Sequence, residues 1–151
     1  MNAPPGFVPM RLADNSFMEA NGPFYSRTEG DALVIGLRVE QRHCNAIGIA
    51  HGGLVMAFCD FMLTVCLNYQ SGLSRFLVTV NASCDFIGPA RLGEWIEGRV
   101  QLLRVTRSMV FGQGLITTQA GALVARTNGV LKYSGDPDPR FGRERYLHRE
   151  N

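Results

Sequence analysis

From Gly53 to Leu67 the chain reads GLVMAFCDFMLTVCL, an apolar run with a single formal charge, Asp60. A helix over such a run is apolar on nearly every side, so the rest of the chain has to wrap it and not merely cover one face. No other feature of the sequence restricts the fold as strongly. The run also singles out Asp60, because a carboxylate in apolar surroundings is costly unless it is paired or put to use. Just upstream lies a polar, glycine-rich cluster: His43, Cys44, Asn45, then Gly48, then His51, Gly52 and Gly53. A polar loop leading into an apolar helix with one acid has the layout of a reaction site.

The rest of the chain supplies the wrapping. Residues 32–40 alternate, with Leu33, Ile35, Leu37 and Val39 on one face and Arg38 and Glu40 on the other, which predicts a strand. The helix is expected to start near His51 or Gly52 and to end near Tyr69, before Ser71-Gly72. Four strand-like segments follow, roughly Arg75–Phe86, Leu92–Leu103, Met109–Gln119 and Ala122–Tyr133. Gly88-Pro89, Thr106–Ser108 and Gly121 punctuate them, and the tight spacing predicts a four-strand antiparallel meander. Residues 1–22 read as an N-terminal extension with one short helix around Ser16–Ala20, broken by Asn21-Gly22-Pro23. Residues 134–151 are proline-rich and charged and read as a loose tail or arm. The whole is expected to be one α+β domain over residues 1–151, a long central helix wrapped by a curved antiparallel sheet, which is the hotdog fold.

Several function classes fall away. A net charge of +2 is too small to argue for nucleic acid. Cys44, Cys59, Cys66 and Cys84 form no CxxC pair and no zinc-site spacing with histidine, so no metal is expected and the thiols fit a reducing cytoplasm. Cys59 sits about 100° around a helix from Asp60, which disfavours it as a nucleophile aided by that acid. The opening MNAPPGFVPM lacks the basic start and apolar stretch of a signal peptide, and the run at 53–67, interrupted by Asp60 and Thr64, is short for a membrane span. A cytoplasmic protein without membrane or nucleic-acid partners is the expectation.

His43-x-Asn45-x-x-Gly48-x-x-His51-Gly52-Gly53, followed by Asp60, resembles the signature of hotdog acyl-CoA thioesterases of the phenylacetate-pathway and 4-hydroxybenzoyl-CoA-related type. Ile87-Gly88-Pro89-Ala90 is similar to that family's turn after its third strand, and the resemblance spans about residues 31–133. It implies hydrolysis of an acyl-CoA thioester with water as second substrate and no bound cofactor. By the same resemblance Asp60 is the catalytic carboxylate, as general base or as nucleophile. Gly52 offers a helix N-terminal N–H to the carbonyl, Asn45 positions substrate or water, and Thr79 stands near the attacking water. The role of His51 in the family is less uniform. Gly53, Arg107 and Phe61 are the candidate substrate-binding residues, Arg107 for a CoA phosphate and Phe61, with Phe58 and Met62, for the acyl group.

The chemistry asks for these residue types. A thioester carbonyl gains negative charge on attack, and a helix N-terminus presents unpaired N–H groups and a favourable dipole. Glycine there lets the carbonyl approach closely. Gly52 and Asp60 are eight residues apart, about 12 Å along a helix, so one carbonyl cannot touch both. The family is similar in sharing sites across antiparallel helices of a dimer, so a homodimer or dimer of dimers is expected, with Asn45 and Gly52 from one chain and Asp60 and Thr79 from the other. The rival reading is an acyl-CoA-binding or sensing protein of the same fold without hydrolysis. Structural readings also stand: Asn45 shapes a turn, His51 caps the helix, and His43 orients the loop.

Overall fold

The computed structural model describes residues 3–12 and 15–146. Its centre is helix α2, Gly52–Ser71, preceded by strands β1 (Val8–Pro9), β2 (Phe24–Glu29) and β3 (Ala32–Arg38) and the short helix α1 (Ser16–Asn21). Strands β4 (Val78–Phe86), β5 (Trp95–Val105), β6 (Met109–Thr118) and β7 (Leu123–Lys132) follow it. All seven strands join one sheet in the order β1-β2-β3-β5-β6-β7-β4, and every neighbouring pair is antiparallel. The expected hotdog arrangement is therefore what the chain adopts.

α2 starts where His51 turns extended and caps it, and stops where Gly72 takes a left-handed φ of 67° and returns its N–H to the Asn68 carbonyl. At 20 residues it outlasts the apolar run, and by length and composition alone it could cross a membrane. Here Phe58, Cys59, Met62, Leu63, Cys66 and Leu67 are wholly buried against the sheet. Close wrapping requires missing side chains on the inner face of the sheet. A Cβ at Gly98 would collide with Met62 and Phe58, and one at Gly129 would come within 2.7 Å of Leu63. β3 is buried on both faces, because Phe7 and Trp95 cover Val34 on the outside.

Three expectations need correction. The segment Phe24–Glu29 is a strand, which the reading missed because only its first residues are apolar; its inward position Ser26 is polar yet buried. The four later strands are not a simple meander. β4 pairs with β7 at the sheet edge, and β5 pairs with β3 and β6, so residues 87–94 carry the chain across the helix end. The tail is docked as far as Tyr146. It makes two 3-10 turns, Pro139–Phe141 and Arg143–Arg145, and Arg143 donates to the carbonyls of Tyr69 and Gln70 at the end of α2. A guanidinium on the last carbonyls of a helix satisfies orphan acceptors and the negative dipole end together. The rest of the tail, residues 147–151, lies outside the described residues.

The wrapping is incomplete in one place. Gly52, Gly53 and Asp60 are exposed and Met56, Ala57 and Thr64 half-exposed, a single stripe along α2. Beside it runs the free edge of β4, where Val78 and Val80 are each more than half exposed, with Phe76 and Phe86 at its ends.

Candidate active site

The loop before α2 is held by its own polar groups. The Asn45 side-chain oxygen accepts the N–H of Ile47 (3.1 Å) and of Ile49 (3.4 Å), and its backbone closes the turn with Ile49 and Gly48. Gly48 has a φ of 76°, the left-handed conformation such a turn needs. Among the described residues, the Asn45 side-chain amine bonds no acceptor.

His43 anchors the loop from behind. It is buried, its Nδ1 accepts the Glu40 N–H at 2.9 Å, and its Nε2 donates to the Asn21 carbonyl at 2.8 Å. Burial holds its pKa below the ordinary histidine value. Its role is to tie the loop to the N-terminal segment.

His51 is the N-cap of α2, and its Nδ1 accepts the Gly53 N–H at 2.8 Å. That contact needs an unprotonated Nδ1. With Gly53 thus satisfied, the neighbouring Gly52 N–H has no acceptor among the described residues and faces solvent. A Cβ at Gly52 would meet only the Phe86 ring, at 3.6 Å. The first turn of α2 therefore leaves the Gly52 N–H free and exposed at the positive end of a 20-residue helix.

Two turns further on, Asp60 Oδ1 accepts the Thr79 hydroxyl at 2.6 Å. Strand alternation turns Val78 and Val80 outward and Thr79 toward the helix, and a bulge between Thr79 and Asn81 follows at once. Asp60 is neither buried nor unpartnered, contrary to the expectation from its apolar flanks: it lies on the uncovered stripe and holds a hydroxyl. Cys59 turns into the core instead, buried 3.6 Å from the Cys84 sulfur, and desolvation pushes its thiol far up, away from reactivity.

Within one chain the candidates thus form two groups. Asn45, His51, Gly52 and Gly53 gather at the helix start, with Phe86 beside them, and Asp60 and Thr79 pair at mid-helix. The span between them is about 12 Å. Phe61 is buried against Phe24 (5.0 Å between ring centres). Arg107 is exposed on the β5–β6 turn, at the sheet end where Met109 pairs with Lys132, and joins neither group. Phe86 escaped the sequence reading, since nothing local marks an aromatic at a strand end as the neighbour of a distant glycine.

The sequence profile of the thioesterase superfamily matches residues 47–125, which hold the helix start, Asp60 and Thr79. A protein of Pseudomonas aeruginosa named provisionally as an esterase is 33% identical over 132 residues, 87% of this chain and 97% of that protein. Human acyl-coenzyme A thioesterase 13 is 31% identical over 96 residues, 62% of this chain and 67% of the human one. A hypothetical thioesterase of Streptococcus pneumoniae solved with coenzyme A superposes with a TM-score of 0.74 at 18% identity, over 85% of this chain and all of that one, a likeness of fold.

Proposed function

The chain belongs to the thioesterase superfamily, and on that premise we propose that it hydrolyses acyl-CoA thioesters to a free acid and CoA, at sites shared between two copies of the chain. The observation that carries this reading is the split arrangement: an unpaired Gly52 N–H at the helix start, and a carboxylate oriented by Thr79 two turns away. Each group is half of a hydrolytic site.

A second copy supplies the missing half. The free edge of β4 and the exposed stripe of α2 form one surface, and an uncovered apolar edge strand invites pairing with its own kind. Setting two copies of β4 antiparallel about a point near Ala82 and Ser83 places Thr79 of one across from Phe86 of the other. Phe86 rests against Gly52 in its own chain. The Asp60–Thr79 pair of each copy then meets the Asn45–Gly52 group of the other, giving two equivalent sites. A dimer of such dimers is compatible with the same pairing.

In this site the thioester oxygen accepts the Gly52 N–H, and the Asn45 amine helps hold the substrate or water. Asp60 removes a proton from water as its oxygen attacks the acyl carbon. The tetrahedral oxyanion collapses, the carbon–sulfur bond breaks, and the CoA thiolate leaves to be protonated. Thr79 fixes one carboxylate oxygen and leaves the other for the proton. Arg107 remains a candidate for a CoA phosphate, and the free thiols suit the reducing cytoplasm. The test is thiol release from a panel of short, long and aryl acyl-CoAs, with Asp60→Asn in parallel. Release with at least one class, lost in the variant, is the expected result; saturable binding of the esters without any release would favour the sensing role.

A further inference from the structure

A cavity of about 380 Å³ opens beside α2, between the segment leading into β4 and the docked C-terminal strap. We propose that it receives the acyl group of the substrate, and that the strap, through Phe141, sets which acyl groups fit. The proposal rests on the thioesterase reading and adds a specificity determinant outside the residues matched by the family.

Continuity with the reacting centre argues for this occupant. One wall is Phe61, Thr64 and Val65, the helical turn that follows Asp60, and the Thr64 hydroxyl donates to the Asp60 carbonyl at 2.9 Å. The facing wall is Phe76 and Leu77, which lead straight into Thr79. A thioester carbon held at the Asp60–Thr79 pair therefore has this space beside it on both walls. The volume lies at the lower end of the range for small-molecule sites.

The walls formed by Phe61, Val65, Phe76, Leu77 and Phe141 suit an apolar acyl group; the lining also includes Arg75, Arg140 and Arg145, which donate to the Gly135 carbonyl, to Asp138 and to the Arg140 carbonyl. Its most buried polar side chain, Asn68, is fully engaged: its amine donates to the carbonyls of Arg75 (2.9 Å) and Phe141 (3.2 Å), and its oxygen accepts the Arg75 N–H (3.4 Å). Thr64 uses its hydroxyl within the helix. Neither demands a partner from the ligand, so a hydrocarbon or ring there strands no hydrogen bond from them.

The outer wall is built, not incidental. Phe141 packs its ring on Phe76, with 5.4 Å between centres. The strap holding it is fastened at three points: Arg143 to the end of α2, Asn68 to the Phe141 carbonyl, and the Asp138 N–H to the Ser74 carbonyl at 2.7 Å. The size of the residue at 141 therefore fixes the depth of the cavity.

The experiment is the kcat/KM profile over acetyl-, butyryl-, octanoyl- and benzoyl-CoA for the full chain and for Phe141→Ala, Phe141→Leu and Phe141→Trp. Enlarging the cavity with Ala or Leu should raise the octanoyl-to-acetyl ratio by roughly tenfold, mainly through KM, and Trp should lower it, in keeping with the discrimination an apolar pocket provides. Leu covers the case in which Ala does not fold. An octanoyl-to-acetyl ratio that stays at the wild-type value in folded variants overturns the proposal and leaves the thioesterase reading intact. Absence of hydrolysis by the wild type overturns the parent reading instead. In that event, hydrogen exchange with a non-hydrolysable octanoyl-CoA thioether decides: slowed amides at Phe141–Tyr146 support the cavity, and bound ligand without slowing rejects it.

Discussion

At the scale of single residues, the proposed site depends on the backbone N–H of Gly52. Gly52 is the first residue of α2, a position where proline is well tolerated because its missing N–H has no helical partner. His51 is extended, with φ −61° and ψ 140°, the conformation a residue before proline prefers. Gly52→Pro should therefore keep the helix and delete the donor. Turnover is expected to fall by roughly a hundredfold or more with an unchanged melting temperature, whereas Gly52→Ala, which keeps the N–H, should lose far less. Asp60→Asn should cost about as much in kcat, within the range of a lost general base. Since Asp60 is exposed, its removal should neither stabilise nor destabilise the fold, which thermal unfolding will read. The sequence could name these residues because the loop–helix pattern is contiguous. It could not show that Asp60 lies open, because that depends on which stripe of α2 the sheet leaves uncovered. It also left His51 between a site role, less uniform in the family, and a helix cap, and the contact with Gly53 shows the cap.

At the scale of elements, the loop before α2 is a pH-sensitive joint. His43 is buried with both ring nitrogens engaged, and burial lowers its pKa in the folded chain below the ordinary histidine value. The unfolded chain therefore binds the proton more readily. Stability from this group is present above about pH 6.5 and is lost as pH falls below it. The melting temperature of the wild type should drop more between neutral and mildly acidic pH than that of His43→Gln; parallel curves would remove His43 from this role. The elements themselves were legible where periodicity or an apolar run marked them: α2, β3 and the later strands fall close to their expected ranges. β2 was not, because its inward positions include the buried Ser26. The docked tail was not either. Arg143 reaches carbonyls at the end of α2, some seventy residues back in sequence, and a charged proline-rich segment looks the same whether or not such acceptors await it.

At the scale of the whole molecule, the proposed site needs a second copy of the chain. The edge of β4 carries exposed Val78 and Val80, and a lysine on such an edge blocks strand pairing. Val80→Lys should leave the circular dichroism spectrum intact, shift light scattering to the monomer and remove activity; a dimeric, active variant would place the interface elsewhere. The most direct measurement mixes two inactive chains, Asp60→Asn and Gly52→Pro, unfolds and refolds them together, and follows thiol release. If sites are shared, each mixed dimer holds one site with both defects and one with neither, so an equal mixture should recover about a quarter of wild-type activity. Mixed dimers that form and remain inactive would contradict the shared site.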